Sequence, residues 1–146
     1  LRDRGPREAP GCLFWVPPMS GQPGEPLALV GLLRGDSAPD LRGVQADRLL
    51  LEYDDERSGD FEPLRYVPED KTVVLGLVTT KTGRIRETPE ELEARIREAA
   101  RYVPLERLAV SPQCGFSTSV MGNEISPKDE EYKLRTLVQT AAKVWG

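Results

Sequence analysis

TVVLGLVTTKTGRIRETPEELEARIREAARYVPLERLAVS, residues 72–111, decides the fold class. It opens on a β-branched apolar run, Thr72–Val78, and closes on a second apolar run, Arg107–Ser111. Both are of strand length and apolar throughout, as strands buried on two faces are. Between them, Thr88-Pro89-Glu90-Glu91 supplies an N-cap, a proline where a helix has no use for the N–H, and an acid at the third position. Leu92, Ile96, Ala99 and Val103 then fall on one helical face, so a helix is expected to about Tyr102.

The same grammar extends outward. Arg48-Leu49-Leu50-Leu51-Glu52-Tyr53 reads as a strand, and Pro68-Glu69-Asp70-Lys71 as the turn before the next one. Ser126-Pro127-Lys128-Asp129 repeats the cap-and-proline start, followed by a stripe of Leu134, Leu137, Val138, Ala141 and Val144. The expected order over residues 46–146 is strand, strand, helix, strand, helix. Apolar strands alternating with amphipathic helices predict an α/β fold with a parallel sheet, either open or closed into a barrel. Residues 1–45 break the pattern: Pro, Gly and Arg are scattered through them, and the runs Leu13–Val16 and Leu27–Leu33 have no helical partner. The chain therefore divides into an atypical segment, 1–45, and a patterned domain, 46–146.

The chain has 146 residues, 38% hydrophobic and 30% charged, in the range of one ordinary globular domain. Its 20 basic residues are interleaved with 24 acidic ones for a net charge of −4, which argues against tracking a phosphate backbone, so no nucleic-acid partner is expected. The longest apolar runs are too short to span a bilayer and nothing resembles a signal peptide, so the expected location is cytoplasmic, with no membrane partner. In that compartment Cys12 and Cys114 are expected as free thiols.

In parallel α/β folds ligands gather at the carboxyl ends of the strands. Three candidates lie there: Glu52 ending one strand, Lys81 following the next, and Cys114 just after the third, in Ser111-Pro112-Gln113-Cys114-Gly115-Phe116-Ser117. Carboxylate and thiolate are both zinc donors. From the residues alone, Cys114 reads equally as a small buried hydrophobe and Glu52 as a solvated strand-end acid. Asp54, Asp55, Glu56 and Asp60 lack the spacing of a calcium loop and read as a solvated acidic loop, with Arg57, Arg65 and Lys81 as ion-pair partners. No catalytic residue is assigned.

Four blocks, LLLEYDDERSGDFEPLRYVP (49–68), VVLGLVTTKTG (73–83), EARIREAARYVPLERLAVSPQCGFST (93–118) and KLRTLVQTAAKVWG (133–146), resemble the last part of the catalytic barrel of the cobalamin-independent methionine synthase family. The resemblance implies the C-terminal portion of a TIM (β/α)8 barrel, incomplete by itself. It implies a zinc-dependent methyltransferase of methionine biosynthesis, transferring a methyl group from a methylated folate to homocysteine. In that family zinc is held by a His-x-Cys pair, a strand-end glutamate and a cysteine of the last strand loop. The last two correspond to Glu52 and Cys114.

The sequence departs from the family in having no histidine. Read one base late, however, the codons permitted by Pro17-Pro18-Met19-Ser20-Gly21-Gln22 include a His-x-Cys-Arg-Gly-Asn reading, and those beginning in Gly31, Leu32 and Leu33 include Gly-Tyr-Ser, both family-like. A frame change across this part of 1–45 is one expectation. The functional expectations are an enzyme portion that is inactive alone, a non-catalytic barrel remnant, or a related zinc alkyltransferase acting on another thiol such as coenzyme M. A parallel barrel piece exposes strand edges, so an upstream barrel fragment or self-association is the expected partner.

Overall fold

A computed structural model describes residues 14–16, 28–31, 41, 46–53, 60–113, 115–116 and 122–146. Among these, β1 (Phe14–Val16), β2 (Ala28–Gly31), β3 (Arg48–Glu52), β4 (Thr72–Val78) and β5 (Leu108–Pro112) form one sheet in that spatial order. Strands β2 through β5 are parallel, and β1 joins β2 antiparallel. Helix α1 (Pro89–Ala99) lies between β4 and β5, and α2 (Pro127–Trp145) follows β5. Segment 1–45 thus contributes two strands that sequence reasoning left unassigned, because such short runs pair through backbone groups and need no amphipathic helix beside them.

Both helix starts form as read. Thr88 accepts from the Glu91 N–H while Glu91 returns a bond to the Thr88 N–H, and Ser126 and Asp129 do the same for α2. Helix α1 ends at Ala99 rather than Tyr102. The Arg101 and Tyr102 N–H groups bond three residues back, to Glu98 and Ala99, tightening the chain into turns ahead of Pro104.

Register sets the two faces of the sheet. Leu49 pairs with Val73 and Val73 with Leu108, while Leu51 pairs with Leu75. These side chains are buried in one core with Leu92, Ile96 and Ala99 of α1 and Val103 beyond it. Each such aliphatic chain contributes roughly 1.5–3 kcal/mol through burial. The other face carries the rows Leu50–Val74–Ala109 and Glu52–Gly76–Ser111.

The stripe expected on α2 is only partly core. Leu137 and Val144 are buried, but Leu134 is 43% and Val138 69% exposed. The buried face is completed by Lys133, Thr136 and Thr140. Polar residues are tolerated there because each is bonded: Thr136 Oγ1 to the Tyr132 carbonyl, Thr140 Oγ1 to the Thr136 carbonyl, and Lys133 Nζ to the Ile85 carbonyl. Helix α2 is therefore rotated away from the orientation that its hydrophobic stripe alone would choose. No described helix is long and apolar enough to cross a membrane.

Candidate functional site

Parallel pairing brings the carboxyl ends of β3, β4 and β5 to one edge. Glu52 ends β3 half-buried, opposite Gly76 of β4, and Gly76 lies opposite Ser111 of β5. With glycine at the centre of this row, no side chain stands between the Glu52 and Ser111 positions. A bulge between Gly76 and Val78 then shifts the register, and the Gln113 N–H reaches the Val78 carbonyl at 2.9 Å. The Gln113 main chain is consequently seated on Gly76: a Cβ there would lie 3.2 Å from Gln113 Cα and 3.2 Å from the Leu51 carbonyl oxygen. From this seat Gln113 Nε2 donates to Glu52 Oε2 at 3.1 Å, spanning the mouth of the sheet above β4. The other end of the amide, Oε1, is buried and has no hydrogen-bond partner.

Loops close around the same edge. The Thr79 N–H donates to Glu87 Oε1 at 2.8 Å, and Glu87 Oε2 accepts from Lys133 Nζ at 2.7 Å. Asn123 Nδ2 donates to the Thr80 carbonyl at 2.9 Å, and the Gly83 N–H to the Glu124 carbonyl at 2.8 Å. The segment after β4 is thereby tied to the segment leading into α2. Beneath the mouth, Tyr53 is buried against Phe61 with ring centroids 4.6 Å apart, and burial drives its phenol far above the ordinary tyrosine value.

Of the candidates read from sequence, Glu52 lies at the mouth as expected, and Lys81 is exposed beyond β4. Cys114 and Cys12 lie outside the described residues, as do Asp54, Asp55, Glu56 and Arg57. Arg65 pairs with Glu62 and bonds the Tyr66 hydroxyl. Sequence reasoning gives no role to Gln113, Gly76, Glu87 or Lys133. The available signal for Gln113 was a long polar amide directly before the thiol at a strand mouth.

The site suits a cation in part. Glu52 offers a carboxylate held in place by an amide whose own oxygen is an unused acceptor, and the thiol of Cys114 is next in the chain. Among the described residues no group of three His, Cys, Asp or Glu side chains could hold a metal ion.

Residues 33–142 match a family model described as "Cobalamin-independent synthase, Catalytic domain". The chain is 51% identical over 104 residues to the uncharacterized protein YxjG of Bacillus subtilis, an alignment covering 70% of this chain and 27% of that one. It is 44% identical over 55 residues to a 5-methyltetrahydropteroyltriglutamate–homocysteine methyltransferase of Rhodococcus jostii, covering 38% of this chain and 6% of the relative. The structure resembles that of a B12-independent methionine synthase from Shewanella sp. W3-18-1 in complex with selenomethionine, with a TM-score of 0.60, 25% identity, and coverage of 71% of this chain and 28% of that one. The chain therefore spans well under a third of the length of each of these relatives. Its parallel strands and helices, in this likeness, are a portion of a (β/α)8 barrel.

Proposed function

The chain belongs to the cobalamin-independent synthase family, by its catalytic domain, and from that premise we propose that it is a portion of a zinc-dependent methyltransferase moving a methyl group from a methylated folate to the sulfur of homocysteine. The observation that carries the reading is the Glu52 carboxylate at the carboxyl edge of the sheet, bonded to the residue that directly precedes Cys114. Glu52 and Cys114 are the zinc ligands this chain contributes, an oxygen and a sulfur donor of the kinds zinc takes. Zinc, when bound, supplies the positive charge that keeps an acceptor thiol deprotonated near neutral pH. The chain's own part is to hold Glu52 in place through Gln113 and to brace the mouth through Glu87 and Asn123.

Most of the folate surface belongs to a companion barrel portion, so this chain is inactive alone. Its setting is the cytoplasm. The lack of histidine follows from a frame change across Pro17–Leu33. Sequencing the encoding DNA tests that point, and codons forbidding His-x-Cys in the shifted frame overturn it.

Zinc content after purification in metal-controlled buffer tests the function. One zinc per chain, lost in both Glu52→Gln and Cys114→Ser, is the expected result. A second reading, a non-catalytic barrel remnant, is favoured by the absence of histidine. Zinc at background in the unmodified chain selects it.

A further inference from the structure

Gln113 is bonded in a way that the fold itself does not require. Its backbone N–H already closes the β4–β5 register on the Val78 carbonyl, so the strand end is secured without the side chain. The side chain nevertheless crosses β4 to reach Glu52 on β3. Two sequence features permit that crossing. The bulge between Gly76 and Val78 offsets β5 so that Gln113 falls above β4, and Gly76 lets its backbone approach to a distance at which a Cβ would crowd.

The arrangement is also costly. A buried amide oxygen without a donor forfeits roughly 1–3 kcal/mol relative to its hydrated state. Of the described residues, the Gln113 Oε1 and Tyr53 Oη atoms are the buried side-chain groups left this way. A leucine at 113 would fill similar volume without that penalty but would forfeit the bond to Glu52, two effects of similar size, so stability gives glutamine no net advantage here. What the amide provides that leucine lacks is a donor aimed at one oxygen of Glu52. That bond removes the carboxylate's freedom to rotate about its last torsion and leaves it presenting a fixed edge at the mouth.

We propose that Gln113 is a positioning residue for a metal-ligating Glu52: it orients the carboxylate from the neighbouring strand mouth, and its stranded Oε1 is the cost of that role. The proposal rests on the zinc reading above and adds a residue to it. Gln113 acts through Glu52 and touches no reacting atom.

The test is zinc affinity of the full chain, read by competition with a chromophoric chelator, beside the thermal midpoint in metal-free buffer. Gln113→Leu weakens zinc binding by roughly 10- to 100-fold, the usual effect of losing an outer partner of a metal ligand. Its metal-free midpoint is little changed, because the loss of a buried orphan acceptor offsets the loss of the bond to Glu52. A glutamine serving only the fold would give the reverse, a lower midpoint with zinc affinity intact. Gln113→Asn, which keeps the amide but is too short to reach across Gly76, weakens zinc binding likewise and serves if the leucine variant does not fold. Unchanged affinity in these variants, in a chain that holds zinc, overturns the positioning role and leaves the zinc reading standing. Background zinc in the unmodified chain overturns both.

Discussion

Glu87 and Lys133 form a buried ion pair, with Oε2 and Nζ 2.7 Å apart and the lysine side chain fully enclosed. The same carboxylate accepts the Thr79 N–H through Oε1, and the same ammonium donates to the Ile85 carbonyl. One pair therefore clamps the segment leaving β4 to the buried face of α2. Removing the carboxylate strands a buried ammonium and a backbone N–H together. Glu87→Ala is expected to lose roughly 3–5 kcal/mol in urea unfolding. Lys133→Met costs less, since Glu87 retains 13% exposure and some access to water. Equal losses in the two variants would contradict this asymmetry.

Gly76 is expected to tolerate no side chain. The atoms a Cβ would meet first are backbone, Gln113 Cα and the Leu51 carbonyl oxygen, and backbone in a parallel sheet yields less readily than a flexible side chain. Gly76→Ala should destabilise by roughly 1–3 kcal/mol and displace Gln113 from Glu52. Urea unfolding measures the first effect, and chemical-shift changes at Glu52 and Gln113 the second. An alanine variant as stable as the parent would refute the close seating of Gln113 on β4.

Helices α1 and α2 are joined at the surface by Lys143, whose Nζ lies 3.0 Å from both Glu90 Oε1 and Glu93 Oε2. These contacts hold both carboxyls below the ordinary glutamate value of 4.5, mainly through the hydrogen bond from Lys143, and raise the lysine above its usual value. Because the folded carboxyl values are depressed, their contribution is complete above pH 4.5 and is lost as the pH falls through the lower folded values. The lysine acts in the opposite sense: its contribution is complete below 10.5 and is lost as the pH rises through the raised folded value. Solvent exposure keeps all of these contributions small. Lys143→Met should therefore lower the urea midpoint slightly at neutral pH and flatten its decline between about pH 5 and pH 3. An unaltered acid limb would show that the cross-link is energetically silent.

What the sequence disclosed depended on whether a residue's role was local. Thr88-Pro89-Glu90-Glu91 and Ser126-Pro127-Lys128-Asp129 announce helix starts because a capping box is complete within four residues, and both form. The strands β3, β4 and β5 were legible from unbroken apolar runs. The rotation of α2 was not, because Lys133 reaches the core only by meeting Glu87, 46 residues away. Strands β1 and β2 were hidden for a similar reason, since backbone pairing with β3 is a property of the sheet and not of Ala28–Gly31. At the site, Glu52 could be read from its place at the end of an apolar run. Gln113 could not, because its role depends on a bulge in β4–β5 and on a glycine in β4, the strand that lies between it and its target.

Exposed Leu134 and Val138 share the outer face of α2, in a groove also lined by Pro127, Glu130, Glu131 and Arg135. The neighbouring β5 pairs on one side only within the described sheet, with β4. An unpaired edge of a parallel strand beside an apolar helix face is a surface on which another strand and helix can continue the layers, and in water it favours association. We expect the isolated chain to sediment as a species heavier than its 16.2 kDa monomer. Val138→Lys, at a position 69% exposed, should shift the distribution toward monomer without lowering the thermal midpoint, because that side chain takes little part in the intramolecular core. A companion barrel portion, if it covers the same face, should suppress self-association when mixed in and lose that effect with the Val138→Lys chain. Sedimentation as a monomer across the micromolar range would rule this surface out as an interface between copies.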